Sequence, residues 1–581
     1  MAETRIPKTE INSPTGAMAE PRLSNDDVRE DKSRVAAAEG ETGPREFFPL
    51  ETIRPQQSLA LDKITRSYQR GKKFCMLELP TGSGKSPLSI SVAKWASRMP
   101  TADFRPGAYI LTTQKTLQSQ MMQDFSAAGK YPSGLVELKG QQNYPCEKVS
   151  GDCSIGSKLT ASLGKCEFCP YREAKDTFCR MPYGVTNFSY FLTEGQHGGQ
   201  LKPRNFLIVD ECHNTEKEIL SFADIEFTQA RSDTCAAGLL PHLRLGPKQD
   251  WNIQFNTQAR DWLEKTFLPA SVQYMGALEL EQQQYEQDGE MDNAAKAAKK
   301  LNGWKMFDSK VKQFVIANDM NDWISFSDQK SGNMIIRPLT ATLFAGKILF
   351  SRAEHVLMMS ATILDPNTFA RNLGMDPTTC SYLTVPSDFP KENRPIYYKP
   401  QGSMSWASKA ETLPKMIRFV ERILTRYKDV KGMIHTNSYD INDALTQYLY
   451  TTQHASRIIT HGRGPGSRDD AVVAHMMEKG PTVLVSPSMT EGLDLKEDLS
   501  RFQIIMKVPF PMLNPYTKTR MRRDEDWYQW MTALALIQAC GRSNRSATDR
   551  ASTFILDSAF EQFLHRNEKI LPMWWTDAIV F

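Results

Sequence analysis

Short blocks of consecutive apolar residues recur along the chain, each closing on a polar cluster. They lie at 74–79, 108–112, 206–209, 356–359, 433–435, 483–485, 504–508 and 553–556. A run of this kind is the pattern of a strand buried on both faces, as in parallel sheets. Helical stretches fall between many of the blocks. The alternation predicts an α/β fold, with ligands beyond the carboxyl ends of the strands. Two stretches interrupt it. Residues 140–202 are rich in Cys, Gly and Tyr and contain no long strand. Residues 218–333 are polar and mostly helical by propensity, with 278–301 dense in Glu, Gln, Ala and Lys. Residues 1–45 mix charge, Pro, Gly and Ala with few large apolar groups and predict a disordered tail, with structure starting near Phe47.

Composition narrows this picture only slightly. A chain of 581 residues is too long for one core. Its net charge of +4 permits a nucleic-acid partner without demanding one. No run of about eighteen apolar residues predicts a transmembrane span, and the first residues lack the apolar core of a signal peptide. The expected location is therefore cytoplasmic, nucleoid or nuclear, with no membrane partner. In such a reducing compartment the ten cysteines are poor candidates for disulfides. Five of them, Cys146, Cys153, Cys166, Cys169 and Cys179, fall within 34 residues, the first four spaced C-x6-C-x12-C-x2-C. That density predicts metal thiolates, and four suffice for a zinc site or a [4Fe–4S] cluster. Cys75, Cys235 and Cys380 stand alone and read as structural.

Three segments carry further chemistry. Leu79-Pro80-Thr81-Gly82-Ser83-Gly84-Lys85-Ser86 follows a predicted strand and opens a predicted helix. Glycines there let backbone N–H groups wrap a triphosphate, with Lys85 reaching the outer phosphates and Ser86 holding Mg²⁺. Leu79 stands where Gly or Ala is usual. Asp210-Glu211-Cys212-His213 ends an apolar strand. Asp210 there suits Mg²⁺, and Glu211 suits an attacking water. In Gln538-Ala539-Cys540-Gly541-Arg542-Ser543-Asn544-Arg545 the two arginines are three apart and share a helix face. They would neutralise charge developing on a γ-phosphate. A solvated basic helix is the plainer reading of that segment taken alone.

In this order the segments resemble superfamily 2 helicases of the XPD/DinG branch, from about Phe47 to Phe581. Arg54-Pro55-Gln56-Gln57 looks like the adenine-side motif, with Gln57 as base contact. Thr112-Thr113-Gln114-Lys115-Thr116-Leu117 resembles the first strand-contacting motif. Ser360-Ala361-Thr362 is similar to the motif linking hydrolysis to lobe movement. Thr490-Glu491-Gly492-Leu493-Asp494-Leu495 with Val508-Pro509-Phe510-Pro511 is similar to the second-lobe signature. The resemblance implies two RecA-like lobes with parallel sheets and ATP in the cleft between them. Lys85, Asp210, Glu211, Gln538, Arg542 and Arg545 are then catalytic. Gln57, Thr81, Gly82, Ser83, Gly84, Lys85, Ser86, Gly492 and Asp494 hold the nucleotide, and Ser86 and Asp210 hold Mg²⁺.

The branch also carries an iron–sulfur insert between the first strand-contacting motif and the Asp-Glu box, and a helical arch after that box. By resemblance, Cys146, Cys153, Cys166 and Cys169 bind the [4Fe–4S] cluster, since Cys169-Pro170-Tyr171 fits the last-ligand pattern, and Cys179 is surplus. Tyr144, Tyr171, Arg172, Lys175 and Arg180 flank the cluster as candidate base or phosphate contacts, and equally as a small core with a basic rim. The implied organisation is 1–45 tail, 46–139 first lobe, 140–202 iron–sulfur insert, 203–217 first lobe, 218–333 arch, 334–375 end of the first lobe and 376–581 second lobe. The implied function is a monomeric ATP-dependent DNA helicase acting on single-stranded DNA and forked duplex in repair, replication or recombination, with 5′–3′ polarity. An RNA-directed or strand-independent ATPase and a redox-sensing DNA-binding protein are the alternatives.

Overall fold

The computed structural model describes residues 43–80, 82–113, 115–149, 151–157, 166–241, 243, 251–317, 319–328, 330–386, 389–464, 466–488, 495, 497–541, 543 and 549–581. In chain order the strands are β1 Phe74–Glu78, β2 Arg105–Thr112, β3 Val136–Leu138, β4 Tyr183–Asn187, β5 Arg204–Asp210, β6 Ile225–Phe227, β7 Trp323–Ser327, β8 Met334–Pro338 and β9 Ala353–Ser360, followed by β10 Cys380–Thr384, β11 Ile396–Gly402, β12 Gly432–His435, β13 Ile458–Thr460, β14 Val483–Ser486, β15 Phe502–Ile505, β16 Ser552–Asp557 and β17 Ile579–Val580.

Two seven-stranded parallel sheets define two α/β lobes. The first runs β10-β1-β9-β5-β2-β4-β3 and the second β13-β14-β12-β15-β16-β11-β17. Helices cover both faces, so β1, β5, β12, β14 and β15 are buried along their whole length. All eight apolar blocks of the sequence fall on these sheets, and strand order does the rest. Because β1, β9 and β5 are neighbours, the loops after Glu78, Ser360 and Asp210 emerge side by side.

Several expected boundaries move. Pro44 is already buried, and its carbonyl accepts a hydrogen bond from Ser91, so order begins before Phe47; residues 1–42 lie outside the described residues. The segment 140–202 is not all insert, because β4 joins the first sheet between β2 and β3. A Cβ at Gly184 would come within 2.5 Å of Phe178, so this glycine lets helix Pro170–Arg180 lie against β4. The boundary expected at 333 cuts a hairpin: β8 pairs antiparallel with β6 and β7 in a separate three-stranded sheet. The boundary expected at 376 falls too early, because β10 pairs with β1 in the first lobe.

The segment after the Asp-Glu box is more than helical. Helices Trp251–Trp262, Leu268–Gln287 and Met291–Val315 pack on that antiparallel sheet around Phe227, Phe267, Trp304 and Trp323. Trp304 and Trp323 are buried and Trp262 packs against the same cluster. The side chain of Trp251 lies outside the described residues. Among the described residues no helix is long and apolar enough to cross a membrane.

Candidate functional site

The loop after β1 turns into helix Lys85–Ala96 through two left-handed glycines, Gly82 with φ 77° and Gly84 with φ 87°. Two side chains hold that turn from helix Pro55–Gln69. Arg54 Nη1 donates to the Gly82 carbonyl at 2.9 Å, and Gln57 Nε2 donates to the Ser83 carbonyl at 2.9 Å. Gln57 Oε1 accepts from the Arg54 amide at 3.0 Å. Gln57 is 1% exposed, so the residue expected to read the base is engaged with the loop itself. Arg54 was not singled out as a loop contact. Its signal was only its place beside Gln57.

Asp210 closes β5 and is buried. Burial, then the neighbouring Glu211 carboxylate, push its pKa up to about 6, opposed by Lys85 and by the Glu211 amide, which donates to Oδ1 at 2.9 Å. Glu211 follows in a left-handed conformation, φ 50°, which turns its carboxylate toward the phosphate loop. Its Oε1 lies 3.3 Å from Lys85 Nζ and its Oε2 3.4 Å from His213 Nδ1. His213 Nδ1 also meets Ser360 Oγ at 2.7 Å. The Thr362 amide donates to that same Oγ at 3.1 Å, and Gln538 Nε2 of the second lobe donates to Thr362 Oγ1 at 3.2 Å. One polar chain therefore runs Lys85–Glu211–His213–Ser360–Thr362–Gln538. Cys212 is fully buried beside it. Thr81, Gly492, Asp494, Arg542 and Arg545 lie outside the described residues, as do Gln114 of the strand-contacting segment and Thr490, Glu491 and Leu493 of the second-lobe signature.

Four of the five clustered cysteines come together. Cys153 Sγ lies 4.0 Å from Cys169 Sγ, and burial, then the Cys169, Cys146 and Cys166 thiols, push the Cys153 pKa up to about 12. Cys166 is shifted upward by burial and by Cys146 and Cys169. A Cβ at Gly156 would sit 2.2 Å from Cys146 Sγ, so that glycine makes room for the thiol. Cys179, at the other end of helix Pro170–Arg180, instead has Lys175, Arg204, Asp176 and Glu194 as its charged neighbours and no thiol among them. Three thiols close enough to act on the Cys153 thiol make, with it, a donor set of the kind that suits a soft metal or an iron–sulfur cluster. They do not close a coordination shell: among the described residues no group of three or more Cys, His, Asp or Glu is arranged to hold an ion.

The insert is tied to its surroundings at both ends. Arg204, fully buried on β5, donates to the carbonyls of Phe178 and Met181 at the end of helix Pro170–Arg180, and to those of Ala108 and Pro182. On the other side, Val149 and Ile155 pack against Ala294, Ala295 and Ala298 of helix Met291–Val315. Between the first lobe, the cysteine insert and that helix lies a cavity of about 740 Å³, lined among others by Lys115, Asn143, Tyr171, Tyr190, Glu194 and Lys305. Of the flanking residues named from sequence, Tyr171 reaches this cavity. Its hydroxyl meets that of Tyr190 at 2.8 Å, and Lys175 pairs with Glu194 at 2.7 Å.

Known proteins agree with this geometry. Residues 51–234 match the family profile described as type III restriction enzyme, res subunit, and residues 422–578 match the helicase C-terminal domain. A Bacillus subtilis (strain 168) protein described as probable ATP-dependent helicase YpvA is 23% identical over 264 residues, 44% of this chain and 39% of its own length. Among solved structures, an XPD helicase superposes with a TM-score of 0.58 at 15% identity, covering 90% of this chain and 98% of that one. The S. tokodaii Xpd4 structure gives 0.56 at 12%, covering 90% and 99%. The second lobe carries a helicase C-terminal domain, and the two lobes together have the fold of the XPD helicase structures. In fold the chain is similar to these XPD structures over nine-tenths of its length.

Proposed function

We propose that this chain is an ATP-driven DNA helicase that moves along single-stranded DNA, 5′ to 3′, and opens forked duplex. The observation that carries the reading is the polar chain from Lys85 through Glu211, His213, Ser360 and Thr362 to Gln538, which joins the phosphate loop of one lobe to the other lobe. In this reading Gly82, Ser83, Gly84 and Lys85 cradle the triphosphate. Ser86 and Asp210 hold Mg²⁺, and Glu211 orients the attacking water. Phosphate entering the loop competes with Glu211 for the Lys85 ammonium, so nucleotide binding frees the carboxylate for that water. Gln538, Arg542 and Arg545 approach from the second lobe, and Gly492 and Asp494 help couple the lobes.

The strand would pass through the cavity bounded by Lys115, Tyr171 and Lys305, where cations meet phosphates and tyrosine rings accept stacked bases. The helices after the Asp-Glu box would serve as the arch over it. Cys146, Cys153, Cys166 and Cys169 would hold a [4Fe–4S] cluster, which supplies a rigid staple to a small domain with little apolar core. Service in DNA repair, replication or recombination follows from such an activity.

The test is unwinding of forked DNA with 5′ or 3′ single-stranded tails, alongside ATP turnover with DNA, RNA or neither. The reading predicts unwinding from the 5′ tail and turnover stimulated by DNA. Turnover that responds to RNA alone, or to neither, would replace it with the strand-independent alternative. Iron and acid-labile sulfide in anaerobically purified protein would support the cluster, and stoichiometric zinc in its place would remove it.

A further inference from the structure

The strand that feeds the phosphate loop ends in a carboxylate with no place in the chemistry above. Glu78 is 7% exposed. Its Oε2 accepts two backbone hydrogen bonds, from the Ile363 amide at 2.6 Å and the Leu364 amide at 2.7 Å. Tyr382 is a further side-chain hydrogen-bond partner of this carboxylate. So enclosed, Glu78 cannot act on a water in the cleft. What it holds is strained: Leu364 has φ 65°, unfavourable for a residue with a branched side chain. Next to this contact the Leu79 amide donates to the Ser360 carbonyl at 2.9 Å.

The same short segment is gripped from the second lobe. Trp530, 1% exposed on helix Glu525–Cys540, donates its indole N–H to the Ile363 carbonyl at 2.7 Å. Gln538, eight residues along that helix, bonds Thr362. The peptide group joining Ile363 to Leu364 thus has its N–H, that of Leu364, held by Glu78 of the first lobe and its C=O, that of Ile363, held by Trp530 of the second. The Ile363 carbonyl also accepts from the Asp365 amide at 2.8 Å, so what the Trp530 indole adds at this buried group is the link to the second lobe.

We infer that Glu78 and Trp530 are positioning residues that clamp Ile363 between the lobes and transmit the state of the phosphate loop to the helix leading to Arg542. DNA stimulation of ATP turnover then depends on the clamp, whereas nucleotide binding does not. This inference rests on the proposed helicase reading.

The experiment compares wild type with Trp530→Phe, which keeps a ring and loses the donor, and with Glu78→Ala and Glu78→Gln. Turnover is measured with and without single-stranded DNA, with KM for ATP, and folding is checked by thermal melting. The clamp predicts that Trp530→Phe and Glu78→Ala lose about fivefold to tenfold of the DNA-stimulated kcat, the factor set by one buried hydrogen bond. Their DNA-independent turnover and KM stay within about twofold of wild type. Glu78→Gln retains stimulation, because one carbonyl oxygen accepts both amides. If Trp530→Phe fails to fold, the Glu78 pair decides. An unchanged stimulation ratio in the variants, or an equal loss with and without DNA, overturns the clamp while leaving the helicase reading intact. Wild type that ignores DNA overturns the helicase reading and the clamp with it.

Discussion

Replacing Glu216 by leucine would strand a buried guanidinium between the lobes. Glu216 sits on helix Thr215–Ala223, immediately after the Asp-Glu box. Arg520 sits on helix Pro515–Arg523 of the second lobe and is 1% exposed. Arg520 Nη2 donates to Glu216 Oε1 at 2.7 Å and to Asn372 Oδ1 at 2.7 Å, and Trp527 Nε1 reaches Glu216 Oε2 at 3.4 Å. Among the described residues the buried Arg520 Nε and Nη1 have no hydrogen-bond partner, so the guanidinium relies on the Glu216 carboxylate for charge compensation. Removing one member of such a pair costs about 3–5 kcal/mol, whereas replacing both with apolar groups is close to neutral. Glu216→Leu should therefore destabilise the protein by about 3–5 kcal/mol, and Glu216→Leu with Arg520→Met by less than about 1 kcal/mol. Arg520→Met alone should be milder at low pH. Burial already raises the Glu216 pKa and Arg520 opposes that, so the freed carboxyl takes up a proton as pH falls and its cost declines. Urea unfolding of the four proteins gives the cycle, with an expected coupling of about 2 kcal/mol or more. Additive effects within about 0.5 kcal/mol would refute the reasoning and leave the pair as a bystander.

Three shorter predictions use other parts of the structure. Gly84→Ala puts a Cβ 2.3 Å from Gln57 Nε2 at a φ of 87°, so KM for ATP should rise by roughly tenfold, read by steady-state kinetics against an unchanged melting temperature. Cys169→Ser should lose bound metal and impair unwinding more than ATP turnover, whereas Cys179→Ser should keep its metal; elemental analysis separates them, and equal loss would contradict the grouping of the four thiols. His475 is buried, its Nε2 2.9 Å from the Leu499 carbonyl and its Nδ1 2.8 Å from Thr482 Oγ1, and burial holds its pKa below 6.5. Its stabilising contribution is present above the unfolded pKa and lost as pH falls through the folded value, so stability should drop below about pH 6.5 by at most about 1.4 kcal/mol per unit, a slope that His475→Gln should flatten in pH-dependent melting.

The central strands of both sheets were legible because a strand buried on both faces has one pattern, an uninterrupted apolar run. The strands that escaped have mixed sequences. β4 reads Tyr-Gly-Val-Thr-Asn, with its glycine required by Phe178, and β10 reads Cys-Ser-Tyr-Leu-Thr. β10 also returns to β1 from more than 300 residues away, and no local pattern reports that. The Gly-rich loop and the Asp-Glu box stand out in the sequence because the chemistry expected of them needs particular residues at fixed spacing, and the fold brings Lys85 to within 3.3 Å of Glu211. Spacing alone left Cys153 and Cys179 interchangeable. The folded chain groups Cys153 with Cys169 and leaves Cys179 beside Arg204. Arg520, Trp530 and Glu78 gave no signal at all, because each matters only through a partner on a distant element.

Steady-state ATP hydrolysis by wild type and Lys85→Ala, with and without single-stranded DNA, tests the proposed DNA-driven motor most directly. Turnover in wild type should rise with DNA, and a folded Lys85→Ala protein should show none above background. Near-normal DNA-stimulated turnover in Lys85→Ala would contradict it.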